Sequence, residues 1–391
     1  MNNFIQNCRK LIGSEFVLTG ESDVLPYVTD WRQREKGKAI AVLRPGSTNE
    51  VSMLVRLCSE LNVSIVPQGG NTGLVLGSIP ERKGKSVVIS LTRINKIRAV
   101  DIENNTITAD AGCYLEQVQN AAFDASRLFP LSLASEGSCT IGGNLSTNAG
   151  GTAVLRYGNA RDLCLGLEVV TPAGDIWNGM RGLRKDNTGY DLKNLFIGAE
   201  GTLGIITGAV LKLCPQPKAQ RTAFVAVHDP ERALQFLMLA QTEFGPLLTG
   251  FELMSEFCIS LVKKHNPQLD LPFKEPYPNY VLIELSDHES EAHLNQLMEK
   301  VLCKGMNAGI ILDAALSTSL QHSKSFWKLR ELISTAQASE GKNIKHDISV
   351  PVSNIPKFIE VTNKLLSLQF PKCRIVCFGH MGDGNLHYNV S

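Results

Sequence analysis

Two imidazoles stand close together in the run GHMGDGNLHYNVS (residues 379–391), where His380 and His387 bracket a tight Gly-Asp-Gly-Asn turn. Imidazole nitrogen is a common ligand for divalent transition metals, and two imidazoles at one turn could hold an ion or meet a substrate oxyanion. Such a site normally takes three or four protein ligands, and this run supplies two.

Three further segments are built for binding rather than for reaction. In the first, Pro67, Gln68, Gly69, Gly70, Asn71, Thr72, Gly73 and Leu74 follow a strand-like VSIV. Glycines here let successive main-chain N–H groups converge on phosphate oxygens, forming an anion-binding nest. The loop lacks both the G-x-G-x-x-G spacing of a dinucleotide fingerprint and the Gly-Lys-Ser/Thr of a P-loop. In the second, SEGSCTIGGNLSTNAGGT (135–152), Gly137, Ser138, Thr140, Ile141, Gly142, Gly143 and Asn144 are followed by Thr147, Asn148 and Ala149. These offer donors, acceptors and close approach but no ionisable nucleophile, as a packed ligand wall or a surface loop would. The third, GAEGTLGIIT (198–207), places Glu200, Gly201 and Gly204 beside Ile205 and Ile206 at a strand entrance, where a main chain could border a flat heterocycle.

The elements that must position these segments are readable from periodicity. Ser47 and Glu50 stand in capping-box register, and Val51, Leu54, Val55, Cys58 and Leu61 share one face of a helix over 47–62. Residues 63–68 and 86–91 read as strands, 98–111 as a hairpin turning at Asn104-Asn105, and 114–124 as a helix. Between 130 and 206, Gly, Ser, Thr and Asn predominate, which predicts long loops lying against something large. The two prolines of CPQPKAQR (214–221) suggest a domain boundary, giving domains 1–216 (core about 37–216) and 217–391. Past it come strand patterns at 222–228, 279–287 and 309–316 and helical patterns at about 230–241, 291–303, 321–341 and 353–369, the last with Pro356 in its first turn. That order predicts an α+β domain, an antiparallel sheet with helices on one face.

Composition narrows the partners. The 391 residues exceed what one hydrophobic core of ~250–300 residues holds, so a multidomain protein is expected. Lys plus Arg number 39 against 38 Asp plus Glu, so no long-range positive field gathers nucleic acid or anionic lipid. No run approaches the ~18 apolar residues of a membrane span. The ten cysteines are scattered without a Cys-x-x-Cys pair and read as reduced, mostly buried thiols. The opening MNNFIQNCRKLIG has neither a long apolar run nor transit-peptide character, which points to the cytoplasm, or to the mitochondrion if the natural chain begins earlier.

Taken in order, QGGNTGL, GSCTIGGNLSTNAGG, LRYGNARDLCLGLEVV and LRKDNTGYDLKNLF resemble the flavin-binding half of the vanillyl-alcohol oxidase/p-cresol methylhydroxylase superfamily. Within it the similarity is greatest to D-2-hydroxyacid dehydrogenases of the D-2-hydroxyglutarate dehydrogenase branch, and it extends from about residue 20 to residue 391. The resemblance implies a two-subdomain FAD-binding domain of that type and an α+β substrate cap with an antiparallel sheet. FAD would be held noncovalently, its pyrophosphate on residues 68–74, its flavin and ribityl chain on 137–149, its adenine and ring edge on 200–206, with Asn385 a further flavin- or substrate-facing amide. Leu76 stands where the branch usually has glycine.

For the cap the resemblance implies that Arg330, Ser334 and Lys345 bind substrate carboxylates, with Asn389 facing flavin or substrate, and that His380 and His387 ligate a divalent metal, zinc being the expected ion. On their own, Arg330 and Lys345 read as a solvated helix face and a strand-end cation. Relatives continue through a segment carrying a third metal ligand and a histidine base, so the cap is expected to be incomplete at residue 391. The implied activity is oxidation of a D-2-hydroxyacid, D-2-hydroxyglutarate first, by hydride transfer to FAD, with electrons passed to an acceptor such as a flavoprotein or quinone, in a possible homodimer. Two alternatives stand beside it: a D-lactate or glycolate dehydrogenase, and a flavin-binding protein with impaired turnover.

Overall fold

The computed structural model describes residues 2–391. The chain forms two compact units, one of Met1–Gly151 with Gly158–Gln216, the other of Thr152–Tyr157 with Pro217–Ser391. The short segment 152–157 thus leaves the first unit and packs in the second, which nothing in its composition announces.

In the first unit, strands Ser64–Gln68 and Ala39–Leu43 both pair in parallel with Ser86–Ser90, in a four-stranded sheet closed by Val17–Leu18. Helix Thr48–Glu60 is the crossover. It starts where Ser47 accepts the Glu50 N–H, and it buries Val51, Leu54, Val55 and Cys58. A second sheet of five antiparallel strands runs in the order Ile97–Asp101, Thr106–Asp110, Ile205–Lys212, Cys164–Val170, Ile176–Gly179. Its first pair is the expected hairpin, and Asn105 takes the positive φ of 52° that the turn requires. Within 130–206 the chain is less open than its composition suggests, because short helices form at Ile141–Ser146, Val154–Tyr157 and Lys193–Phe196.

The second unit is built on one antiparallel sheet of seven strands, ordered Asp313–Leu316, Ala219–Val227, Asn279–Asp287, Leu248–Ser255, Ile375–His380, Asn385–Val390, Asp347–Ser349. Helices cover both faces, not one as the sequence suggested. On one face Val225, Phe251, Val281 and Ile283 pack under Phe236, Leu294, Met298 and Ile355. On the other, Phe224, Met254, Leu282 and Phe378 pack under Cys258, Phe326, Leu329 and Ile333. The central strands are apolar at consecutive positions, so both faces demand cover, and each fully buried aliphatic or aromatic side chain contributes about 1.5–3 kcal/mol. The helix expected over 321–341 is two, Leu320–Glu331 and Ile333–Ser339, broken at Leu332 where no Pro or Gly marks the break. Among the described residues no helix is long and apolar enough to cross a membrane.

Candidate active site

The three small-residue segments of the first unit converge. A Cβ added at Gly70 would collide with the Ser138 carbonyl oxygen, one at Gly69 with the Thr140 hydroxyl, and one at Gly201 with the ring of Pro67. The third segment is tied to the second where Gly198 N–H donates to the Leu145 carbonyl at 3.0 Å and Glu200 N–H to that of Ser146 at 2.8 Å.

Polar side chains within these loops point inward and hold them. Gln68 donates to the carbonyls of Tyr27 and Ser78, Asn71 to those of Pro26 and Thr29, while Asn148 accepts from Arg161 N–H and Thr140 from Gly143 N–H. Asn144 is buried, with its amide near the Cys139 sulfur, and Ile141, Ile205 and Ile206 are core residues. The loops therefore offer mainly main chain to a ligand. Among the described residues, nothing accepts from the N–H groups of residues 69–75.

Asn71, Leu76, Asn148 and Glu200 all take positive φ between 49° and 70°. At Leu76 this is a strained conformation for a branched side chain. Leu74, Val75 and Leu203 stand exposed beside the loops. Unpaired amides, glycines with no room for a side chain and exposed apolar groups fit a large planar ligand with a phosphate tail.

In the second unit the site forms on one sheet face. Antiparallel pairing sets Glu252 opposite His380, Phe378 opposite His387, and His387 opposite Asp347. The same register continues through the Ile344–Val390 bridge and places Lys345 opposite Asn389. Pairs directly opposite share a face, so Glu252, His380, His387, Asp347, Asn389 and Lys345 lie on one side. The broken helix above adds Arg330, before the break, and Ser334, after it.

Contacts give this row its order. The Arg330 Nε donates to Glu252 Oε2 at 2.7 Å, and its guanidinium carbon lies 5.0 Å from the centre of the Phe378 ring. His380 Nδ1 donates to Glu252 Oε1, and His387 Nδ1 lies 3.3 Å from Asp347 Oδ1. The two imidazole rings are 5.8 Å apart. Each ring has its Nδ1 on a carboxylate, which leaves Nε2 available, the arrangement in which histidine binds a metal.

Burial alone would raise the Glu252 carboxyl, but the adjacent Arg330 and His380 outweigh it and bring it down to about 2. Burial also opposes charge on His380, and the facing Glu252 carboxylate overcomes it, raising the imidazole above its ordinary value. Asn389 is buried and donates to Gln337 at 2.9 Å, while Asn385 donates to Asp347 and to the Ile348 carbonyl, pinning the edge strand. Lys345 is exposed.

The residues that sequence reasoning missed are Glu252, Asp347 and Gln337. For Glu252 a signal existed, a lone carboxylate inside the apolar strand LTGFELMS. Among the described residues, His380 and His387 are not joined by a third side chain into a three-ligand cluster. The group that is so close, Asp287, Glu289 and His293, lies at a partly exposed helix start away from this row.

Comparison with known proteins agrees with this division of labour. Residues 39–179 match the family described as FAD binding domain, and 216–391 match the C-terminal domain of FAD linked oxidases. The chain is 40% identical over 370 residues to mitochondrial D-2-hydroxyglutarate dehydrogenase of Danio rerio, covering 93% of this chain and 67% of that one. It is 37% identical over 380 residues to the Rattus norvegicus protein of the same name, covering 96% and 69%. It therefore spans about two thirds of the length of these relatives. In fold it is similar to p-cresol methylhydroxylase with substrate bound, at a TM-score of 0.80 and 16% identity over the whole chain and 82% of that structure. Glycine loops that converge with their amides unpaired, a second unit of antiparallel sheet, and identity of this extent show that the chain belongs to the FAD-linked oxidases, in the D-2-hydroxyglutarate dehydrogenase family.

Proposed function

We propose that the chain oxidises D-2-hydroxyglutarate to 2-oxoglutarate. The observation that carries this is one sheet face bearing Lys345, His380 and His387, with Arg330 brought to it from the helix above by its bond to Glu252. FAD, held by the main chain of 68–74, 137–149 and 200–206, supplies the hydride acceptor when bound. Arg330 keeps its terminal amino groups for the substrate's C1 carboxylate, because Glu252 takes Nε and Phe378 supports the plane of the guanidinium. Lys345 offers a point charge for a second, distal carboxylate, which favours a dicarboxylate over lactate or glycolate. Ser334, just past the break in the helix, is the further hydroxyl we assign to the same carboxylate.

His380 and His387 fit a divalent ion through Nε2, and imidazole donors suit zinc. Such an ion would acidify the substrate's 2-hydroxyl. Asn389 and Asn385 hold the hairpin that carries both rings. We keep 1–216 as the FAD-binding domain and 217–391 as the cap, and group 152–157 with the cap, a reading that the two compact units support.

The mitochondrion, named for both relatives, is the compartment we assign by descent. Helix Asn2–Ile12 buries Phe4, Cys8 and Ile12 and is part of the fold.

The test is direct. Purified protein should show flavin absorption that bleaches with D-2-hydroxyglutarate, and dye-coupled turnover should prefer it to D-lactate and glycolate. Preference for lactate would remove the dicarboxylate assignment. Bound flavin that no D-2-hydroxyacid bleaches would leave a flavin-binding protein without turnover.

A further inference from the structure

We infer that Glu252 is a positioning residue that sets the substrate-binding guanidinium and the metal-binding imidazole with one carboxylate. The inference rests on the reading of Arg330 and His380 given above and deepens it. Glu252 is fully buried in the middle of strand Leu248–Ser255, among Phe251, Leu253 and Met254. A carboxylate at that depth is costly unless each oxygen is matched by a donor. Both are matched, and by different groups: Oε2 accepts from Arg330 Nε and Oε1 from His380 Nδ1.

The choice of atoms distinguishes positioning from a plain structural ion pair. An ion pair that only held helix Leu320–Glu331 to the sheet could bring both carboxylate oxygens onto two guanidinium nitrogens, the frequent bidentate contact. Here Glu252 takes Nε and leaves the terminal edge available. On His380 it takes Nδ1 and leaves Nε2. In both cases the atom engaged is the one that binding does not need. Phe378 completes the arrangement, since its ring lies beneath the Arg330 guanidinium and 4.9 Å from His387. Glu252 therefore couples the two halves of the site: a shift of the carboxylate moves the carboxylate-binding fork and the imidazole together.

The test uses FAD-loaded full chain and two equilibrium titrations, zinc followed by calorimetry and 2-oxoglutarate followed by perturbation of the flavin spectrum. Glu252→Gln should weaken zinc about 10–100-fold, the effect expected when a group orienting a metal ligand is lost, and should weaken 2-oxoglutarate by at least about 10-fold. In a His380→Ala background Glu252→Gln should cost no further zinc affinity, and in an Arg330→Ala background no further 2-oxoglutarate affinity, because the coupling partner is already gone. Should Glu252→Gln fail to fold, Glu252→Asp keeps the charge but shortens the reach, and the same two losses are expected. Equal losses in both backgrounds, or affinities within twofold of wild type, would reduce Glu252 to a structural buttress and overturn the inference. If wild type itself binds neither ligand, the reading of Arg330 and His380 falls and the inference with it. Normal wild-type binding with an unaffected variant overturns the inference alone.

Discussion

Glu284 offers a prediction whose magnitude can be worked from the structure. It lies on strand Asn279–Asp287, and its carboxyl accepts from the Trp327 indole at 2.6 Å and from Thr222 at 3.5 Å. No cation is paired with it among the described residues. Burial pushes its carboxyl up from 4.5 to about 7, against the smaller opposing effect of those two donors. A carboxyl whose folded-state value exceeds its unfolded one binds more protons when folded. Its contribution is therefore fully present below pH 4.5 and is lost as pH rises through 7. That difference corresponds to a loss of roughly 3 kcal/mol by pH 8.5.

Glu284→Gln keeps an acceptor for Trp327 and removes the titration. The variant should match wild type near pH 5 and exceed it by about 2–3 kcal/mol at pH 8.5. Urea unfolding at the two pH values reads this, followed by tryptophan fluorescence after Trp31 and Trp177 are replaced by Phe. Trp327 is then the single remaining tryptophan and touches the group under test. An identical pH dependence in variant and wild type would show that Glu284 is ionised without penalty and refute the reasoning.

Three further outcomes are expected. Lys345→Met should raise KM for D-2-hydroxyglutarate about 10-fold, the scale of one charge-assisted hydrogen bond, and leave D-lactate oxidation nearly unchanged; parallel steady-state kinetics with the two acids checks it. Arg330→Lys should lower kcat/KM about 100-fold, because an ammonium cannot hold Glu252 through one nitrogen while presenting a planar fork with two others. Gly70→Ala drives a methyl group into the Ser138 carbonyl and should part the first two small-residue loops, so the protein should purify with its visible flavin absorbance largely lost while the second unit keeps its melting transition.

How much of this was legible in the residues divides along one physical line. Patterns whose causes lie within a few residues could be read directly. Ser47 caps its helix, Asn105 turns its hairpin, Pro356 sits in a first helical turn, and the glycine segments announce close main-chain approach. The apolar residues at consecutive positions of Ala219–Val227 and Asn279–Asp287 also held the information that both sheet faces are covered, although strand and helix order suggested one.

What tertiary structure alone decided are pairings across long stretches of chain. Glu252 meets His380 128 residues away and Arg330 78 residues away. Lys345 comes opposite Asn389 only through strand register, and residues 152–157 join the second unit only through packing. Residue type states what a side chain can do. The partner that orients it is chosen by sheet pairing and by what burial makes costly to leave unmatched, and neither is a property of the local sequence.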